Sequence, residues 1–309
     1  MKLAFSTLGC PDFDWSDIYS IARDFGFSGI EMRGLGDEIF SVKARPFRPE
    51  NIAATVEHLH KRNLEICCLS SGCSLKYAEK REANIAELRD YIELAKKLKT
   101  PYIRVLGDEK AAPDGEVDDA VVLSQLKELA PIAEEAGVCL LVETNGVYAN
   151  TERLKNLLED VGSDNVAALW DIHHPYRFMN EKPGRTVENL GAYIKYTHVK
   201  DSVMQDGRVV YRMMGEGDLP FEEIFRALGS INYEGYVSLE WLKRYAPDLS
   251  NAGIVFPHFA NFMSEFLGEQ LVSDRLQDNN RKTGKYVWPK EHLIDLTFPQ
   301  VLDKMCELF

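Results

Sequence analysis

Eight short runs, rich in β-formers and apolar on both faces, recur along the chain up to about residue 268. They are KLAFST (2–7), GIEMR (29–33), EICCLS (65–70), YIRVLG (102–107), CLLVET (139–144), VAALWD (166–171), IKYTHVK (194–200) and YVSLEW (236–241). Amphipathic stretches separate them. REANIAELRDYIELAKKLK (81–99) places Ile85, Leu88, Ile92, Ala95 and Leu98 on one helical face, and AVVLSQLKELAPIAEEAG (120–137) ends in Gly137, suited to a C-cap. A strand with no polar face must be covered on both sides, so strands alternating with helices predict a parallel sheet. Eight units favour a closed (β/α)8 TIM barrel over an open doubly wound sheet. The open sheet would want a G-x-G-x-x-G turn after its first strand. STLGCPDFDW lacks one, and GEGD (215–218) carries only G-x-G, which reads as a tight turn.

The expected barrel spans residues 1–268. A polar, turn-rich linker (269–294) follows, and residues 295–309 return to an amphipathic helix with Val301, Leu302, Met305 and Leu308 on its apolar side. The formal net charge is −13, and residues 271–309 hold six basic and six acidic side chains, so the first 270 residues carry all of it. Such a body argues against nucleic acid or an anionic membrane as partner. The N-terminus has no long apolar run, and nothing approaches a membrane span. Cys10, Cys67, Cys68, Cys73, Cys139 and Cys306 form no C-x-x-C pattern. They read as reduced thiols of a cytoplasmic protein. A soft-metal cluster of Cys67, Cys68 and Cys73 is the alternative, but no histidine accompanies them.

Parallel barrels build their sites at the C-terminal ends of the strands. The polar residues there are Ser6, Glu31 with Arg33, Ser70 with Ser71, Arg104, Glu143, Asp171, His198 with Lys200, and Glu240. The last four strands therefore present Glu143, Asp171, His198 and Glu240 in succession, and neighbouring strands lie about 4.8 Å apart. Three carboxylates beside an imidazole would raise one another's pKa values. One divalent cation removes that cost. Oxygen-rich donors suit Mn²⁺ first, with Mg²⁺, Co²⁺ or Zn²⁺ as alternatives. The competing reading makes each residue a structural hydrogen-bonder. Lys200 and Arg104 are candidates to hold a substrate oxygen, carboxylate or phosphate, with Arg104 alternatively paired to Glu31. His58 and His60, two apart on a helix, are expected at the surface. In LWDIHHPYRF (169–178), Pro175 is expected to end the strand and fix a loop, and His173 to pack or bond to backbone.

The motifs GFSGIEMR (26–33), WDIHHP (170–175), HVKD (198–201), GEGDLPF (215–221) and SLEW (238–241), with Glu143 ending the fifth strand, occur in a specific order. In these the chain resembles the xylose isomerase-like TIM barrel superfamily over residues 1–268, which includes sugar phosphate isomerases and epimerases and the AP endonuclease family 2 type. The resemblance implies metal ligands at Glu143, Asp171, His198 and Glu240, and a substrate-contacting histidine at His174. Many members carry a histidine two residues after the strand-five glutamate. This chain has Asn145 there, so their substrate preference does not transfer.

The chemistry expected is a metal-dependent isomerase or epimerase of sugars or sugar phosphates acting through an enediolate, with Glu143 and Glu240 as acid and base. A dehydratase of a keto-polyol, of inosose or dehydroshikimate type, uses the same first proton abstraction. An apurinic-site endonuclease would need extra histidines at earlier strand ends, and CCLSSG and YIRVLG offer none. A non-catalytic regulatory domain is the reading from another class. The expected partner is a small carbohydrate, with a homodimer as the expected assembly. Residues 285–309, KYVWPKEHLIDLTFPQVLDKMCELF, resemble the entry segment of AMP-forming acyl-CoA ligases. That implies the barrel portion of a longer fusion; the alternative is an arm packing on its own barrel or on a second copy.

Overall fold

The computed structural model describes residues 1–267. In chain order its strands are β1 (Lys2–Ser6), β2 (Gly29–Met32), β3 (Glu65–Ser74), β4 (Tyr102–Leu106), β5 (Cys139–Glu143), β6 (Val166–Asp171), β7 (Ile194–Val199), β8 (Asp201–Gln205), β9 (Arg208–Arg212) and β10 (Tyr236–Leu239). The helices are α1 (Trp15–Asp24), α2 (Ile52–His60), α3 (Arg81–Leu98), α4 (Asp119–Ala136), α5 (Thr151–Val161), α6 (His173–Met179), α7 (Pro183–Leu190), α8 (Phe221–Ser230) and α9 (Ala252–Leu267). Eight strands close a parallel barrel in the order β1-β10-β7-β6-β5-β4-β3-β2, as the alternation of apolar strands and helices predicts. Asp14 caps α1 through a capping box with Asp17, and Gly137 ends α4 with φ +68, the backbone a C-cap glycine supplies.

Period-two alternation sorts each strand into an outward and an inward face. Outward residues meet the helices: Phe5 lies 4.4 Å from the Phe256 ring of α9. Inward, Ala4, Cys67, Cys68, Leu141, Ala167, Leu169, Tyr196 and Tyr236 fill the barrel floor, the two adjacent cysteines both contributing where β3 slips one residue against β2. Gly29 belongs to that layer, because a Cβ there would sit 2.6 Å from both Cys67 Sγ and the Tyr236 ring. Two residues further along the same strands come Ser6, Glu31, Glu143, Asp171, His198 and Ser238, all buried. The polar mouth is thus the next inward layer above an apolar floor.

Three features depart from expectation. Strand β3 continues to Ser74, with its register against β4 shifting between Ser70 and Ser74. Strands β8 and β9 form an antiparallel hairpin outside the barrel. Its turn places Asp206 and Gly207 at φ +50 and +74, the positive angles a two-residue Asp-Gly hairpin turn requires. Pro175 neither ends β6 nor fixes a loop, because it lies in the first turn of α6, where its missing N–H costs no helical bond. The linker and helix expected over 269–294 and 295–309, with Cys306, lie outside the described residues.

Candidate metal centre

The donor atoms of Glu143, Asp171, His198 and Glu240 all lie within 4.8 Å of one another, and all four residues are buried. They come from β5, β6, β7 and the residue just past β10. Strand register makes this geometry unavoidable: Asp171 pairs with His198 across β6 and β7, and Ser238 with His198 across β7 and β10. His198 Nδ1 stands 3.2 Å from Glu143 Oε1 and 3.5 Å from Glu240 Oε1. Its other nitrogen, Nε2, donates to Glu31 Oε2 at 2.9 Å. A carboxylate only accepts, so that bond fixes the ring orientation and leaves Nδ1 aimed at the cluster.

Glu31 is the site residue whose role the sequence did not disclose. It also accepts from Ser70 Oγ at 2.7 Å, Ser238 Oγ at 2.8 Å and Tyr196 Oη at 3.2 Å. Burial works to raise its pKa, but the facing His198 and the two serine hydroxyls outweigh it and hold the carboxyl at about 2. Burial likewise opposes charge on His198. Glu31, Glu240 and Glu143 win, and the imidazole is held well above its ordinary value.

The cations are equally buried. Arg104 Nε lies 3.2 Å from Glu143 Oε2, without hydrogen-bond alignment, while Nη1 donates to the Ser71 carbonyl at 2.9 Å. Arg104 therefore pairs with Glu143, not Glu31. The reason is topological, because β4 adjoins β5 whereas β3 stands between β4 and β2. Lys200 Nζ contacts Asp171 Oδ2 and donates to Glu240 Oε2 at 2.5 Å. His174 Nδ1 donates to the Thr144 carbonyl at 3.1 Å, and its Nε2 lies 3.4 Å from Asp171 Oδ2. Burial lowers its pKa against the opposing pull of Asp171, and Nε2 faces the cluster. Thr144 Oγ1 in turn accepts from the Asp171 N–H at 2.9 Å.

Four buried carboxylates (Glu31, Glu143, Asp171, Glu240) thus face two fixed cations, Arg104 and Lys200. The carboxylates outnumber these two cations, and His198 is held protonated by the excess. Stranding such charge in a low-dielectric interior costs several kcal/mol per ion, by order of magnitude. The donor set fits a divalent cation on Glu143, Asp171, His198 Nδ1 and Glu240.

The motifs around this cluster divide into site and scaffold. Asp201, closing HVKD, accepts from the Gly215 N–H at 3.0 Å and the Gly217 N–H at 2.8 Å, so GEGD is a loop wrapped on that carboxylate. A Cβ on Gly217 would lie 2.1 Å from Asp201 Oδ1. His173 bonds through Nε2 to Ser202 Oγ at 2.9 Å, a side-chain partner on the hairpin and not backbone. His60 is exposed as expected. His58 is not: it is half-buried, its ring centroid 4.4 Å from that of Tyr19. Cys67, Cys68 and Cys73 are free and buried with raised pKa values, as core thiols are.

The model of the xylose isomerase-like TIM barrel family matches residues 19–256. The chain belongs to this family. Over 260 residues it is 24% identical to fructoselysine 3-epimerase of Shigella flexneri, covering 79% of this chain and 91% of that protein. It is also 24% identical over 225 residues to inosose dehydratase of Clostridium perfringens, covering 62% and 74% of the two. The crystal structure of the IOLI protein with a binding zinc atom superposes with a TM-score of 0.70 at 17% identity, over 89% of this chain and 99% of that one. Family members thus include epimerases and dehydratases, and one of similar fold binds zinc. No helix among the described residues is long and apolar enough to cross a membrane.

Proposed function

We propose that the chain is a divalent-metal-dependent isomerase or epimerase of a sugar or sugar phosphate. The observation that carries this reading is the convergence of Glu143 and Glu240 on one point from separate strands, each with one oxygen toward His198 Nδ1 and the other against a cation. The cation, Mn²⁺ by preference for this oxygen-rich set, supplies positive charge that stabilises an enediolate. The protein does the rest. Glu143 and Glu240 act as acid and base at the substrate carbon. Flanking it from β5 and from the end of β10, one removes the proton and the other returns it on the opposite face (epimerisation), or to the neighbouring carbon (aldose–ketose isomerisation). Arg104 and His198 keep Glu143 ionised against its burial. Lys200, which contacts Asp171 Oδ2 and donates to Glu240 Oε2 at the edge of the cluster, would hold a substrate oxygen. His174 Nε2 accepts a substrate hydroxyl. The free, mostly buried cysteines suit a reducing cytoplasm.

The likeness to inosose dehydratase supports a second reading, in which the same base removes the α-proton of a keto-polyol and a β-hydroxyl leaves. One experiment separates the two and tests both. Mn²⁺-loaded protein is incubated in D₂O with ketoses, ketose phosphates and cyclic keto-polyols. Deuterium incorporation with no loss of water from the substrate is the expected result. Incorporation with dehydration selects the second reading, and no exchange on any of them contradicts both.

A further inference from the structure

The metal ligands occupy one half of the mouth, supplied by the consecutive barrel strands β5, β6, β7 and β10. The other half, β1 to β4, is where the remainder of an extended substrate would lie. Arg33 stands there. It follows Met32 at the end of β2 and shares the inward register of Gly29 and Glu31, one layer above Glu31. On the opposite wall Lys200 and Glu240 occupy the equivalent layer above His198 and Ser238.

The surroundings of Arg33 are unlike those of the other cations at the mouth. Arg104 is paired to Glu143, and Lys200 to Asp171 and Glu240. The Arg33 guanidinium makes a single hydrogen bond among the described residues, Nη1 to the Ile39 carbonyl at 3.2 Å, and no ion pair. Its backbone is fixed, since the N–H donates to Thr7 Oγ1 at 2.8 Å. The side chain is half-buried, so water does not fully solvate the charge. Burial and then Arg104 disfavour its protonated form, with Tyr245, Tyr91 and Glu87 acting the other way without reversing them. Gly72 lets the guanidinium lie close to the β3 backbone, since a Cβ there would lie 3.1 Å from Arg33 Nη2. Ser6 Oγ, buried in the same half, has no hydrogen-bond partner.

From this we infer that Arg33 binds an anionic end of the substrate, a phosphate or a carboxylate carried on the carbon chain away from the metal-bound oxygens. The inference rests on the isomerase or epimerase reading only in placing substrate across this mouth. A planar guanidinium with free donors recognises either anion through paired N–H bonds, and the incoming charge compensates both Arg33 and its repulsion by Arg104. Neutral sugars lose nothing when Arg33 is removed, because they bring no charge to that end.

The test uses three probes that share one skeleton and differ at carbon six: D-fructose 6-phosphate, D-fructuronate and D-fructose. Their dissociation constants are measured by calorimetry on Mn²⁺-loaded wild type and Arg33→Met, with metal content and melting temperature as controls. Arg33→Met should bind at least one of the two anions tenfold or more weakly, with D-fructose and metal content unchanged. Arg33→Lys, which keeps the charge but not the fork, should fall between, and it replaces the methionine variant if that does not fold. The anion with the larger loss identifies phosphate or carboxylate as the natural group. Equal affinity of wild type and Arg33→Met for both anions overturns the inference, as does a wild type that binds neither; a bracing role on the Ile39 loop would lower melting temperature alone. Affinity is measured whether or not the probes turn over. Absence of deuterium exchange would therefore sink the isomerase and dehydratase readings while leaving an Arg33-dependent affinity standing, and exchange on D-fructose alone would do the reverse.

Discussion

The floor and the mouth of this barrel are built by the same strands under opposite rules. Leu141, Leu169 and Tyr196 sit in the floor; Glu143, Asp171 and His198, each two residues later, sit in the mouth. The floor excludes water with apolar atoms packed at crystal-like density. Its contribution to stability scales with the volume filled. The mouth, equally shielded, concentrates four carboxylates around one imidazole, an arrangement that stands only because buried cations such as Arg104 and Lys200 face them. A single inward face thus passes from stability to chemistry within one pleat.

That contrast predicts different losses from the two layers. The largest is catalytic: Glu143→Gln and Glu240→Gln should each lower solvent-proton exchange by about 10² to 10⁴-fold, the usual range for an acid–base group. Exchange at wild-type rate in both variants would break the assignment. Next, Leu169→Ala in the floor should cost about 2–5 kcal/mol by urea titration, with metal stoichiometry retained. If Leu169→Ala lost its metal while remaining stable, the two layers would not be separate. The smallest effect sharpens the boundary between them. Glu31→Gln keeps the shape but weakens the hold on His198 Nε2, and should reduce metal affinity by about 10 to 100-fold. An unchanged affinity would make Glu31 a bystander.

Much of this was legible in the sequence, for a physical reason. Parallel barrel strands are buried on both faces, so they announce themselves as apolar runs, and a charged residue at the end of such a run stands out. Glu143, Asp171, His198 and Glu240 were visible on that ground. Glu31 was visible as a strand-end carboxylate, but its partner His198 is 167 positions away and nothing local links them. The ion pair of Arg104 was equally hidden, since it depends on which strands are neighbours. The β8–β9 hairpin lay outside the β/α period, although Asp206-Gly207 between β-forming residues carried its signal. Pro175 reads as a stop from sequence alone because strand-ending and helix-starting prolines look alike until the next element is known.

Metal content tests the central claim most directly. Wild type, Asp171→Ala and His198→Ala, each incubated with Mn²⁺ and passed through a desalting column, would be analysed by inductively coupled plasma mass spectrometry beside a circular dichroism spectrum. A site built from Glu143, Asp171, His198 and Glu240 predicts about one ion per wild-type chain and almost none in either folded variant, because each deletion removes one of four donors. Full occupancy in both variants, or no metal in the wild type, would contradict it.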